Sequence, residues 1–442
     1  MTARTSELHA KVVYLKEARS DAAADSDAIE ATVKEILASV RDRGDRAVRE
    51  YSKLYDRVDP NSFDVSDEEQ AAALASLDPQ TRVDMEFAIE RVRHFAEAQL
   101  DTIRPLEFEA LPGLHLGHRV IAIEAVGAYV PGGRYPILSA PAMTIVPAKV
   151  AGCRHVIACL PPAAHPAMIA GCLLSGADRI FRVGGAQAIA AMAYGTETIP
   201  AVDKIVGPGN AYVNEAKRQV FGKVGIDQLA GPSEIFVVAD ETGNPEMIAA
   251  DLLAQAEHDV RARVGLITTD RAVAEATLHE MGKQLADLPT ADVAGSAWES
   301  YGEIALCRDE ETMIAYSDLV AAEHLQIHAA DSQELAKKLR NYGSLFIGPL
   351  ASVVFSDKCC GTNHTLPTMT ASRYTGGLWV GSYVKVCTHQ WLDDRGVAAV
   401  APSAIRQSAT EKMEGHRRAA MLRLDKRNAS PLHTAPAADR PC

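Results

Sequence analysis

The sequence lacks any C-x-x-C pair and any compact cysteine framework: its eight cysteines, Cys153, Cys159, Cys172, Cys307, Cys359, Cys360, Cys387 and Cys442, are scattered over 442 residues. That excludes a disulfide-stapled module and points to free thiols in a reducing compartment. Residues 1–20 carry charges throughout, without the apolar stretch of a secretory leader, and no uncharged apolar run long enough to cross a bilayer follows. A cytoplasmic protein with no membrane partner is expected. Basic residues are in deficit, Lys+Arg 45 against Asp+Glu 58 for a formal net charge of −13. Such a balance repels phosphate backbones, so nucleic acid is not an expected partner. Aromatics are also scarce, at 5%.

What is present is a globular composition, 47% hydrophobic and 23% charged, with 30 glycines, 22 prolines and much Ala and Val. The length suits about three units of roughly 150 residues, and the composition suits alternating strands and helices. Behind a possible Ser26 cap, Ile29, Val33, Ile36, Leu37 and Val40 recur at helical spacing, and a second helical stretch runs over 46–55. Helical character continues over 66–104, with Met85, Ile89, Val92 and Phe95 as an apolar stripe ending before Pro105.

From Arg119 the pattern changes to strands: Val120–Ile123 and Val126–Val130, closed by Pro131-Gly132-Gly133, then 155–160, 179–183 and 204–206 between Ala-rich helical stretches. A strand at 234–239 opens a second series: helix 245–258, strand 264–268, helix 271–286, and strands near Ile304, Leu325, Leu345 and Val353. This rhythm predicts two α/β domains with parallel sheets, and a remote duplication is compatible with it. From about Tyr383 the chain reads as helical, and 428–442 as a loose tail rich in Pro and Ala.

Four clusters could carry chemistry. Gln255 and His258 stand three apart on a predicted helix, so they share a face and could chelate one cation, although such pairs in isolation are more often solvated. Glu323 and His324 adjoin where a helix hands over to a strand, a place that suits proton abstraction by an imidazole, or equally a surface dipeptide. Residues 356–364 pack Ser356, Asp357, Lys358, Cys359, Cys360, Thr362, Asn363 and His364 after an apolar run. Glu411 and His416 lie in the C-terminal helical stretch, where His416 could complete a metal site supplied by distant segments. Glycine turns at 184–185 and 207–209 follow strands and lead toward helix N-termini that could hold phosphate, without forming a G-x-G-x-x-G fingerprint.

Taken in order, Tyr129-Val-Pro-Gly-Gly133, Gly184-Gly-Ala-Gln187, Gly207-Pro-Gly-Asn210, Leu229-Ala-Gly-Pro-Ser233-Glu, Gln255-Ala-Glu-His258, Glu323-His324-Leu and Gly361-Thr-Asn-His364-x-Leu-Pro-Thr resemble the histidinol dehydrogenase family over roughly residues 26–425. The resemblance implies two incomplete Rossmann-like α/β domains with helical N- and C-terminal pieces, in a homodimer with shared active sites. On that pattern, 1–25 forms an N-terminal arm. Residues 26–127 with 235–378 form the first domain, with the metal and catalytic residues, and 128–234 the NAD-binding domain. Residues 379–427 form a C-terminal helical domain reaching the partner, before the tail at 428–442.

The resemblance further implies one Zn2+ per subunit at Gln255, His258, Asp357 and His416, the last supplied by the other subunit. His324 would act as general base and Glu323 would activate a hydrating water. Ser233, His364 and Glu411 would contact substrate, together with His324 and the four metal-binding residues. Tyr129, Gln187 and Asn210 would contact NAD. The implied reaction is oxidation of a primary alcohol through an aldehyde to a carboxylate with two NAD. Two cations, Arg134 and Lys358, stand where this family usually has a small residue and a Tyr, and favour a small anionic hydroxy substrate. The block Arg373–Lys385 is similar to the branch that oxidises 2,3-dihydroxypropane-1-sulfonate to 3-sulfolactate. L-Histidinol remains the alternative substrate, and a non-catalytic metal- or ligand-binding protein the alternative class.

Overall fold

A computed structural model describes residues 7–19, 26–132 and 136–426. Along the chain, strand β1 (Val12–Lys16) precedes helices α1 (Ser26–Arg43), α2 (Asp45–Tyr51), α3 (Asp67–Ala75) and α4 (Pro79–Leu100). Strands β2 (Leu106–Leu111) and β3 (Leu114–Ala122) follow. The first α/β series is β4 (Ala125–Tyr129), α5 (Ala140–Val150), β5 (His155–Leu160), α6 (Pro166–Ser175), β6 (Arg179–Arg182), α7 (Gly185–Tyr194), β7 (Lys204–Val206), α8 (Ala211–Val220) and β8 (Gly225–Ile226). The second is β9 (Glu234–Ala239), α9 (Pro245–Ala256), β10 (Arg263–Thr268), α10 (Arg271–Asp287), α11 (Ala291–Tyr301), β11 (Gly302–Cys307), α12 (Glu310–Val320), β12 (His324–His328), α13 (Ser332–Ala336) and β13 (Ser344–Ile347). A short helix α14 (Val353–Lys358), strand β14 (Val384–Leu392) and helices α15 (Asp394–Thr410) and α16 (Glu414–Lys426) complete it.

The chain divides into two compact units, residues 1–100 with 122–383 and residues 101–121 with 384–442. The larger holds two sheets, ordered β6-β5-β4-β7-β8 and β1-β11-β10-β9-β12-β13. Every pairing in them is parallel except that of β1 with β11. Without β1, both sheets have the same order: the first strand lies inside, the next two add to one side and the last two to the other. Their central strands β4, β5, β9 and β10 are mostly apolar and buried, as strands covered on two faces must be. The smaller unit carries a three-stranded sheet, β14-β3-β2, and the helices α15 and α16. Among the described residues no helix is long and apolar enough to cross a membrane, and the seven described cysteines are free.

Several expectations are corrected. Val353-Val-Phe is helix, not strand: the Ser352 hydroxyl caps it by accepting from the Val354 amide, and so short an apolar run does not distinguish the two periods. The stretch from Tyr383 begins as strand β14, whose pairing with β3 is invisible to local pattern. The stretch 46–55 ends in a π-helical turn, Ser52–Asp56, and Phe95 is exposed while Met85, Ile89 and Val92 are buried. The side chain of Ser26, the tail beyond 426 and Arg134 lie outside the described residues.

The domain parse also differs. Part of the 1–25 arm is β1, an edge strand of the second sheet. Helices α1 and α2 bury Val33, Ile36, Leu37, Val40 and Val48 in the core that covers one face of the first sheet, so this helical layer belongs with the 128–234 segment. A cut at 127 would split β4, which pairs with β5 along its whole length and with β7 over Val126–Ala128.

Candidate active site

The second sheet gathers site residues at its amino-terminal edge. His324 is the first residue of β12, in register with Ile235 and Ser344, and Glu234 starts β9 directly after Ser233. Helix α9 leaves β9 and returns antiparallel to it, so its last turn comes back to the same edge, bringing Gln255 and His258. Ligands in α/β sheets usually gather at the carboxyl ends of strands; here the returning helix supplies the donors, and the site forms at the opposite edge. His258 lies just beyond the helix, its amide bonding the Gln255 carbonyl at 3.2 Å, so the two residues share a turn rather than a regular helical face.

His324 is held from one side. Its Nδ1 donates to the Glu234 carbonyl at 2.9 Å and lies 3.4 Å from Glu323 Oε2. A carbonyl can only accept, so Nδ1 carries a proton and Nε2 is the position that titrates. Nε2 is buried and has no hydrogen-bond partner among the described residues. Burial disfavours the imidazolium, but the Glu323 carboxylate, with Asp357 and the Glu234 carbonyl, outweighs it and pushes the pKa up to about 9. Glu323 Oε2 in turn accepts the Glu234 amide at 2.8 Å. Glu234 thus anchors the acid through its N–H and the imidazole through its C=O.

His258 Nε2 and Asp357 Oδ2 stand 3.8 Å apart. That is too long for a hydrogen bond and short enough for two donors to share one ion at about 2 Å each. Gln255 is buried and its amide makes no hydrogen bond to the described residues, leaving a third donor uncommitted. The chemistry of this set, two borderline or hard oxygens and an imidazole, fits zinc. Among the described residues no group of three His, Cys, Asp or Glu could hold a metal, consistent with an amide as one ligand and a further ligand from elsewhere. His364 is partly buried with Nε2 3.1 Å from Ser139 Oγ. Desolvation holds its pKa below the usual value; Asp357 opposes this, while His324 and Lys358 add to it. Lys358 is exposed, and no described residue pairs with its ammonium. Glu411, just after α15, and His416, in α16, belong to the smaller unit.

The first sheet presents a different edge. Its chain direction reverses across β4, so a crevice opens between the carboxyl ends of β4 and β7, where nucleotides bind in such sheets. Tyr129 ends β4, buried, and its hydroxyl accepts the Gly185 amide at 3.2 Å; burial pushes its pKa up to about 12. Gln187, in the first turn of α7, donates to Asp56 Oδ2 at 3.2 Å, and Gly184 leaves that helix N-terminus without a side-chain cap. Asn210 caps α8 by accepting from the Tyr212 and Val213 amides, so its side-chain nitrogen is its uncommitted group.

A model of the family described as histidinol dehydrogenase matches residues 19–424. The chain belongs to the histidinol dehydrogenase family. A relative from Mesorhizobium japonicum named histidinol dehydrogenase homolog 1 is 48% identical over 90% of this chain and 80% of its own length. A protein from Ruegeria pomeroyi named sulfopropanediol 3-dehydrogenase is 42% identical over 94% of this chain and 97% of its own length. The crystal structure of histidinol dehydrogenase from Elizabethkingia anophelis superposes with a TM-score of 0.89 at 33% identity, covering 96% of each chain. The fold and the family oxidoreductase class therefore stand.

Within this member of the histidinol dehydrogenase family, some residues acquire a role that sequence alone did not assign. Glu234 was visible only as the end of a motif. Lys217 and Asp227 form a buried ion pair under the turn after β7, and nothing local marks them. Gly207 in that turn has φ +115, and a Cβ there would lie 2.1 Å from the Tyr129 carbonyl oxygen. Gly207→Ala is expected to weaken dinucleotide binding at least tenfold, measured by fluorescence titration of NADH, with the second sheet's site unchanged. Unaltered NADH affinity would show that this turn does not contact the cofactor.

Proposed function

We propose that this chain is a zinc- and NAD-dependent dehydrogenase that takes a primary alcohol through an aldehyde to a carboxylate. The proposed substrate is 2,3-dihydroxypropane-1-sulfonate and the product 3-sulfolactate. The observation that carries the reading is His324: an imidazole fixed through Nδ1, with a buried Nε2 that no described residue partners, near the convergent donors of His258 and Asp357. Gln255, His258, Asp357 and His416 of the partner subunit would hold zinc, which would polarise the substrate hydroxyl and, as a nearby cation, would oppose protonation of His324. His324 Nε2 would take the hydroxyl proton, and NAD, when bound, would supply the hydride acceptor. Glu323 would act on the water that hydrates the aldehyde, and the second two-electron oxidation would require a second NAD as acceptor. Ser233, His364 and Glu411 orient the substrate. Tyr129, Gln187 and Asn210 hold NAD at the crevice of the first sheet, whose uncapped α7 amides suit its pyrophosphate. A homodimer follows from the shared ligand.

The sulfonate reading rests on Lys358. It adjoins Asp357, carries no ion pair with a described residue, and its charge is felt at His364, on the side proposed for substrate. The other departures contribute less: Arg373 donates to the Leu319 carbonyl and the Tyr383 hydroxyl to that of Thr144, both committed to the fold. Oxidation of L-histidinol is the second reading, favoured by the likeness to the histidinol dehydrogenase from Elizabethkingia anophelis. NADH formation followed with dihydroxypropanesulfonate, L-histidinol and simple diols, with and without chelator, separates them. The sulfonate is expected to give chelator-sensitive turnover. Lys358→Ala should raise its KM about tenfold, the worth of roughly one charge-assisted hydrogen bond. Preferential turnover of histidinol would overturn the substrate assignment, and no NADH from any of them the dehydrogenase reading.

A further inference from the structure

Between α9, β12 and the start of α14 lies a polar cluster that the proposed chemistry does not use. Asp251 stands four residues before Gln255, on the same face of α9, and its side chain is 12% exposed. Its Oδ2 accepts the Gln326 amide nitrogen at 2.7 Å, and its Oδ1 accepts the Ser352 hydroxyl at 2.7 Å. Gln326 is two residues beyond His324 and so projects from the same face of β12. Ser352 is the N-cap of α14, whose Asp357 faces His258. The Gln326 amide nitrogen also reaches His328 Nε2 at 2.7 Å. Burial holds the His328 pKa below its usual value, with Asp251 opposing, so the imidazole stays neutral near pH 7.

Both oxygens of a largely buried carboxylate are thus met by neutral donors, while His328 Nδ1 and Gln326 Oε1 are left buried without partners among the described residues. An apolar core would stabilise this region better. What the cluster achieves is connection: one carboxylate touches all three elements that supply the cation donors and the base. We propose that Asp251 is a positioning residue that ties the helix bearing Gln255 and His258 to the strand begun by His324 and to the segment ending in Asp357, setting the donor geometry of the cation site. This rests on the zinc reading of that site. Asp251 bonds none of the donors directly and acts through the elements that carry them; loss of a group bonded directly to a metal ligand typically costs about ten- to a hundredfold in metal affinity, and that range sets the scale for the tie.

The test compares wild type, Asp251→Ala, Asp251→Asn, Ser352→Ala and, as a truncation in the adjoining apolar core that removes none of the cluster's hydrogen bonds, Met281→Ala. Zinc affinity is read by chelator competition, the donor geometry by the visible bands of bound Co2+, and local order by amide hydrogen exchange of the metal-free protein. Asp251→Ala is expected to bind zinc about ten- to a hundredfold more weakly, with shifted Co2+ bands and faster exchange at 324–328 and 352–358. Asp251→Asn, which keeps an acceptor for Gln326, recovers most of the affinity, and Ser352→Ala shows a smaller shift in the same direction, which serves should the alanine variant fail to fold. Met281→Ala loses thermal stability with none of these changes. Wild-type zinc affinity and exchange in Asp251→Ala, or the same shifts in Met281→Ala, would overturn the proposal. If wild type binds neither zinc nor Co2+, the zinc reading fails by itself, while faster exchange in Asp251→Ala still supports the tie.

Discussion

His324→Ala lowers kcat for alcohol oxidation by about a hundred- to ten-thousandfold, the usual worth of a positioned general base. The variant still binds zinc and NADH, because neither donor set includes this imidazole's Nε2. The expectation follows from the geometry at one ring: Nδ1 is spent on the Glu234 carbonyl, so the proton from substrate can go only to Nε2, which nothing else occupies. Steady-state NADH formation measures it, and retention of more than a tenth of the wild-type rate in a metal-replete variant would remove His324 from the base role.

The same imidazole makes stability depend on pH in chelator-treated protein. Its folded pKa, raised to about 9 by Glu323 and Asp357 against the cost of burial, lies above the ordinary value of 6.5. The folded state therefore holds a proton that the unfolded chain releases between these values. The resulting stabilisation is full below pH 6.5 and is lost as pH rises through 9. The difference in urea-unfolding midpoint between wild type and His324→Gln should shrink over that window; a difference that grows with pH would contradict the charge arrangement described.

Lys217→Met destabilises the protein by about 3–5 kcal/mol, because it strips the partner from a buried charge. Lys217 and Asp227 have side chains 0% and 1% exposed and are in contact. Lys217 donates to the carbonyls of Gly207 and Gln228 at 3.0 and 2.8 Å, and Asp227 accepts the Gly207 amide at 2.7 Å. The pair thus grips both polar groups of the one peptide residue whose φ of +115 shapes the turn at the nucleotide crevice. NADH affinity should fall with stability. In the double variant Lys217→Met/Asp227→Leu, part of the stability returns since no charge is left unpaired, but NADH affinity does not, since Gly207 loses its holders. Urea unfolding followed by circular dichroism and NADH titration measure the two effects. Recovery of affinity in the double variant would show that the pair serves stability alone.

Much of this was legible locally. The strands at 155–160, 204–206 and 234–239 stand where short apolar runs rich in Val and Ile and ended by turn residues place them, and the family is identifiable from seven ordered motifs. The two misread elements, α14 and β14, are those whose state depends on a cap or on a distant strand. Phe95 was misjudged because helical spacing locates a face but not what covers it.

By itself the amino-acid sequence determined the α/β class, the family and most of the residue types that carry the chemistry, because hydrophobic period and turn composition act within a dozen residues. Tertiary structure alone decided which edge of the sheet holds the base and which ring nitrogen is free. It also decided that Asp251, Gln326 and Ser352 meet, and that Lys217 and Asp227 lie beneath Gly207. Those facts come from a helix running back antiparallel to its strands and from pairings between segments as far as 101 residues apart, and such pairings leave no mark on either segment alone.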